Sequence, residues 1–324
     1  MLLRGVIIWV ILFLHGCTVT TLQPDQVAVY FGGTREVLPA KTSSLHHWPY
    51  AVMANLVYHS HADTHDSDYK LLLRREGWIR WNDLPKRQSS FANLNIDVWQ
   101  RSTEGIIEIS VVFEGTRPTS LSDWISNLNI VLRVFPWHKD EYTEVMDSFN
   151  SIFKEELKSR FSKEKIEDVK IYAVGHSLGG GLAQLFAYSF SVGETLKVER
   201  VYAFNSSPIT GYFLVNKRKL ERTTRDLDID RVYLQGEILS YLRNVVNFFS
   251  PPSFKSPRIT RYEYGTSIGD YGSIDLHSSA VISCQLISLS GVTPIQSSST
   301  KVAYYFSPQD SNSNVRVSSR NSCE

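Results

Sequence analysis

Val169-Lys170-Ile171-Tyr172-Ala173-Val174-Gly175-His176-Ser177-Leu178-Gly179-Gly180 reads as a strand that runs straight into a tight turn. The β-formers of its first half predict the strand, and Leu182, Leu185, Phe186 and Phe190 follow at near-helical spacing. Gly175 and Gly179 flank Ser177, at positions where only glycine lets two backbones pass closely enough to present a hydroxyl from a strained turn. Strand, turn and helix in this order form the pattern of a nucleophile elbow. The helix would point its positive N-terminal end at the serine and stabilise negative charge there.

Outward from the elbow, strands and helices alternate as a mostly parallel sheet requires. Val201 to Phe204 and Arg231 to Leu234 read as short strands, and Ala280 to Leu289 as an apolar helix. Before the elbow, Val145, Met146, Phe149, Ile152, Phe153 and Leu157 recur at helical spacing from Tyr142 to Phe161, with the charged run Lys154 to Lys165 as the solvated face. Ile106 to Phe113, Ile96 to Trp99 and Trp78 to Trp81 predict antiparallel strands leading into the main sheet. Gln26 to Phe31 reads as a strand, and Trp48 to Tyr58 as an amphipathic helix with loop between them. His59, His61 and His65 with Asp63, Asp66 and Asp68 have no recognised ligand spacing, so the stretch reads as a solvated loop and no metal or other cofactor is expected.

The 324 residues, 42 % hydrophobic and 12 % aromatic, suffice for one large α/β domain. A net charge of +1 without a basic stripe makes nucleic acid an unexpected partner. Arg4, the apolar Val6 to Leu14 and His15-Gly16-Cys17 predict an export signal whose core is too short to span a bilayer. Residues 1–16 are therefore expected to be removed, 17–290 to form the domain and the polar 291–324 to be a weakly ordered tail. Loss of Arg4 takes the net charge from +1 to about 0, so contact with a membrane is expected to be apolar or acyl-mediated. Cys284 and Cys323 can pair in an oxidising compartment, or Cys284 can remain a buried thiol.

A serine hydroxyl needs a histidine base, and that imidazole needs a carboxylate to fix its tautomer. In the serine, acid, histidine order of α/β-hydrolases, the single histidine beyond Ser177 is His277. Glu237 lies three residues past a predicted strand, where such sheets place their active sites. Asp230 at the strand's other end and Asp270 in a Gly- and Tyr-rich loop stay open as alternatives. The backbone N–H of Leu178 and that of Thr116, after the strand ending at Phe113, are the expected donors to an oxyanion.

These residues together resemble the lipase class 3 family, the fungal triacylglycerol lipase-like branch of the α/β-hydrolases, over roughly Trp48 to Leu289. Phe113-Glu114-Gly115-Thr116 is similar to the family's oxyanion strand, with Glu114 where arginine is usual. Ser122-Asp123-Trp124 through Leu128 resembles its lid, and His138 with Tyr142 the start of the helix before the elbow. Phe204-Asn205-Ser206-Ser207-Pro208 resembles its Gly-Ser-Pro turn, with Ser206 in place of glycine. Arg231 to Leu242 resembles its acid loop, with Glu237 and Ser240 where aspartate and proline are usual. The resemblance implies an α/β-hydrolase fold and hydrolysis of lipid carboxylic esters by Ser177, His277 and Glu237 through an acyl-enzyme. It further implies a lid of Trp124, Ile125 and Leu128 that opens at a lipid–water interface. Leu14-His15-Gly16-Cys17 resembles the lipobox of bacterial lipoproteins, which implies a lipid anchor on Cys17 at the periplasmic or outer-membrane face, with a secreted protein as the alternative; a monomer is expected. A lipid-binding lipoprotein without activity, or an acyltransferase with the same triad, would use the same fold.

Overall fold

The computed structural model describes residues 21–59, 68–82, 95–115, 139–207, 210–239, 253, 255–266, 272–273 and 275–292. Ten strands make one mixed sheet. They are β1 (Gln26–Phe31), β2 (Thr34–Pro39), β3 (Ile79–Arg80), β4 (Ile96–Thr103), β5 (Ile106–Phe113), β6 (Val169–His176), β7 (Ser191–Val192), β8 (Leu196–Phe204), β9 (Asp228–Leu234) and β10 (Arg258–Tyr264). The order is β2-β1-β10-β9-β8-β6-β5-β4-β3, with β7 paired on β8. The central run β5-β6-β8-β9-β10 is parallel, and antiparallel pairs close both edges. This is an α/β fold with a mostly parallel core, as the alternation of strand and helix predicts.

The helices are α1 (Ala40–Leu56), α2 (Asp68–Arg75), α3 (Lys139–Arg160), α4 (Lys163–Ile166), α5 (Leu178–Ser189), α6 (Lys217–Thr224) and α7 (Ser279–Ser290). A strand covered on both faces must be apolar at every position, and its side chains divide by parity. Val111 and Phe113 of β5, Ala173 of β6 and Val201 of β8 join a core with Met146, Phe149 and Phe153 of α3 and Phe186 of α5. Their neighbours Val112, Val174 and Tyr202 enter the opposite core, against α1 and α7.

Several elements depart from the sequence reading. The helix expected from Trp48 begins at Ala40 and carries Pro49 in its interior. Its buried residues run without a break from His47 to Leu56, so it has no single apolar face to read. The stretch expected as loop before it holds β2, a hairpin partner of β1 with six exposed residues. β10 and α6 are additional elements, and β8 begins five residues before Val201. Among the described residues, no helix is long and apolar enough to cross a membrane. Cys284 is disulfide-bonded, and both Cys17 and Cys323 lie outside the described residues.

Candidate active site

β6 delivers Ser177 to the carboxyl edge of the sheet in a backbone conformation that L-residues rarely adopt, φ 55° and ψ −124°. Such a residue costs about 1–3 kcal/mol, so its surroundings must hold it there. Ser177 N–H donates to the Phe204 carbonyl at 3.0 Å, and the Ser177 carbonyl accepts from Ser207 at 3.0 Å and Gly180 at 3.1 Å. Glycine makes the close approach possible. A Cβ on Gly175 would collide with the Gly179 backbone, and one on Gly179 would collide with the Phe113 carbonyl. A Cβ on Gly180 would lie 2.8 Å from the Ser206 side chain, so the elbow accommodates serine in the following turn through its own lack of side chain.

Two loops converge on the hydroxyl. β9 ends at Leu234, a left-handed Gly236 turns the chain, and Glu237 follows with no exposed surface. A one-turn 3₁₀ helix, Asp275–His277, precedes α7 and carries His277, which is 6 % exposed. Ile238 N–H donates to the Ser273 carbonyl at 2.9 Å, binding one loop to the other. His277 Nε2 lies 3.0 Å from Ser177 Oγ, and His277 Nδ1 lies 2.7 Å from Glu237 Oε2. That carboxylate oxygen also accepts from Leu239 N–H at 3.1 Å. A carboxylate can only accept, so Nδ1 bears the hydrogen and Nε2 offers its lone pair to the serine. Burial strengthens each of these hydrogen bonds by removing competing water.

Leu178 is the first residue of α5, so its N–H has no carbonyl one turn earlier within the helix and faces the edge where Ser177 stands. Thr116, Trp124, Ile125, Leu128, His138, Asp270, Ser240 and Cys17 lie outside the described residues. Glu114, which resemblance would have as arginine, is buried and accepts from Asn95 Nδ2.

Asp230 lies two residues into β9, level with Tyr202 of β8 and Val174 of β6, and so before the carboxyl edge where Ser177 stands. It pairs with Arg200 Nη1 at 2.9 Å and lies 3.6 Å from His47 Nε2 and 3.9 Å from His46 Nε2. Burial opposes its charge, but bonds to His47 and the charges of Arg200 and the two histidines hold its carboxyl below the usual carboxylate range. His46, His47 and Asp230 gather three potential ligand atoms within 4.8 Å of one another. The Arg200 guanidinium already supplies positive charge there, 3.4 Å from His46 Nε2. Burial, then the neighbouring His47, lowers the pKa of His46 to about 4.

Asn205 and His176 lie inside stretches that the sequence marks, and Tyr58 at the end of a predicted helix, but the sequence gives no sign of what each of them contacts. Asn205, in a left-handed conformation, donates to the Leu276 carbonyl at 3.0 Å and accepts from Leu234 N–H at 3.3 Å, joining the histidine loop to the end of β9. His176 lies between Tyr58 and the His277 backbone. Burial and the adjacent His277 ring push its pKa well below the usual histidine value.

A serine on a strand-to-helix turn, a buried imidazole and a buried carboxylate meet at the carboxyl edge of a mostly parallel sheet, the arrangement of a serine-hydrolase site in an α/β fold. Residues 110–225 match the Lipase (class 3) family. Among solved structures, a deletion mutant of the Rhizomucor miehei lipase propeptide complex is similar at 15 % identity, over 69 % of this chain and 70 % of that one, with a TM-score of 0.38. No curated protein matches the chain.

Proposed function

We propose that this protein hydrolyses carboxylic esters of lipids, acylglycerols or phospholipids, through an acyl-enzyme on Ser177. The observation that carries the reading is the continuous line of hydrogen bonds from Ser177 through His277 to Glu237 at 3.0 and 2.7 Å. His277 Nε2 takes the proton as Ser177 Oγ attacks the ester carbonyl, and Glu237 stabilises the imidazolium across Nδ1–H. The Leu178 N–H, with that of Thr116, donates to the oxyanion. His277 then returns the proton to the departing alcohol, leaving the acyl group on Ser177. Water, deprotonated by the same ring, releases the acid.

Ser177→Ala is expected to abolish hydrolysis of a chromogenic acyl ester while the circular dichroism spectrum stays unchanged. A fluorophosphonate probe should label the wild type at Ser177 and leave the variant untouched. Full activity in Ser177→Ala would sink the reading, and an unlabelled, inactive wild type would favour a lipid-binding protein of the same fold. Acyl transfer is distinguished by supplying an alcohol acceptor and analysing products.

The anchor is a separate proposal, resting on the Leu14-His15-Gly16-Cys17 pattern alone. Cys17 carries the lipid and holds the enzyme at its substrate, raising its local concentration. Expressed in a bacterial host, the wild type should incorporate labelled palmitate and Cys17→Ser should not.

A further inference from the structure

We propose that His176 is a positioning residue for the reaction read above: a neutral second imidazole that holds the backbone of His277 on one side and the end of the oxyanion strand on the other. The inference rests on the hydrolase reading and adds a role for a buried titratable group that the proposed mechanism leaves unused.

Parity places His176. Side chains two apart on a strand share a face, and Val174 belongs to the core against α1 and α7. His176 therefore faces the side from which Tyr58, just after α1, and His277, just before α7, reach the site.

The hydrogen positions follow from what each partner can do. His176 Nε2 is 2.6 Å from the His277 carbonyl oxygen, which can only accept, so Nε2 bears the hydrogen. In a neutral ring Nδ1 is then a lone pair, and Tyr58 Oη, 3.2 Å away, donates to it. The same phenol oxygen accepts from Gly115 N–H at 3.1 Å. One direction of donation thus runs Gly115 to Tyr58 to His176, and His176 donates onward to His277. The chain joins the end of β5, the strand before the serine and the 3₁₀ turn of the base.

Neutrality matters because the two imidazole centroids are 5.0 Å apart. A charge on His176 would oppose the imidazolium that forms on His277 in the reaction. An apolar side chain would avoid that conflict but could not donate to the His277 carbonyl, and its neighbour Asn205 holds only the preceding one, at Leu276. A neutral histidine, donor at one nitrogen and acceptor at the other, meets both demands.

The test is the kcat and KM of the full chain on a chromogenic acyl ester, for the wild type and for His176→Phe, His176→Gln and Tyr58→Phe, with folding followed by circular dichroism. Loss of positioning is expected to lower kcat of His176→Phe about 10–100-fold, with KM within about twofold of wild type. His176→Gln, whose amide N–H can reach the same carbonyl, should recover most of that loss. Tyr58→Phe should lower kcat by about 3–10-fold, since it removes one link and leaves the onward donation intact. Wild-type kcat in a folded His176→Phe, a loss confined to KM, or a loss that glutamine does not recover would overturn the proposal. If His176→Phe does not fold, unchanged kcat in Tyr58→Phe overturns it instead. A wild type that is inactive and unlabelled at Ser177 sinks the hydrolase reading and this proposal together; an active wild type with unaffected variants sinks this proposal alone.

Discussion

At the scale of single residues, the carboxylate behind the imidazole is the informative one. Glu237 has one methylene more than aspartate, and from just after the left-handed Gly236 it places Oε2 2.7 Å from His277 Nδ1. Glu237→Gln retains the size but presents an amide that can force the wrong tautomer, so kcat should fall about 10³–10⁴-fold. Glu237→Asp should fall between the two, and steady-state kinetics on the same ester separates them. Glu237, Asp230 and Asp270 could not be told apart from composition, because the choice turns on which end of a strand each occupies. Glu237 follows the end of β9, whereas Asp230 lies near its start, in ion contact with Arg200. His176 and Asn205 sit inside sequence motifs and Tyr58 ends a predicted helix, yet nothing in those patterns says what the three side chains contact. Their partners are 118, 101 and 71 residues away in the chain, so no local pattern records the contact.

The elements show why some segments were legible and others were not. β6, the elbow and α5 read clearly because sequence-local demands, β-formers, paired glycines and helical spacing, coincide with the tertiary ones. β10, Arg258–Tyr264, reads as polar, yet its charges find partners on both neighbouring strands, Arg258 on Asp228 of β9 and the other two on Tyr30 of β1. The Arg261 guanidinium lies 3.6 Å over the Tyr30 ring, and Tyr30 Oη donates to Glu263 at 3.0 Å. α1 escapes periodicity because it is buried on several sides, between the sheet and α7. The elbow itself yields a prediction. Gly179→Ala would set a Cβ against the Phe113 and Glu114 backbone, which cannot yield as a flexible side chain would. A loss of about 1–3 kcal/mol in urea unfolding is expected, together with weaker fluorophosphonate labelling, whereas an alanine variant with wild-type stability and labelling would show that this approach is not tight.

For the molecule as a whole, stability rests on the two cores and on the protonation of its histidines. Phe186 is fully buried among Phe113, Phe149, Phe153 and Phe190, so Phe186→Ala should cost about 3–5 kcal/mol in denaturant unfolding. Burial, then the neighbouring His47, lowers the His46 pKa to about 4 in the folded chain, below the ordinary imidazole value of about 6.5. Between those values only the unfolded chain takes up the extra proton, so stability falls as the pH drops from about 6.5 toward about 4. Buried His176, lowered for the same first cause, acts in the same direction. Melting temperature should decline over that interval, and His46→Gln should flatten the decline modestly, because the His46 side chain is 48 % exposed.

The hydroxyl and its imidazole are 100 positions apart, and the imidazole sits on a 3₁₀ turn leading into α7, which packs against α1, while β10 must pair with β1 to close the sheet. At the roughly 5–20 residues per second of ribosomal synthesis, the serine is made about 5–20 s before the histidine. A nascent polypeptide halted between them would display an inert alcohol. On the proposed mechanism, attack by Ser177 thus requires that translation has passed His277 and that the early and late segments have met.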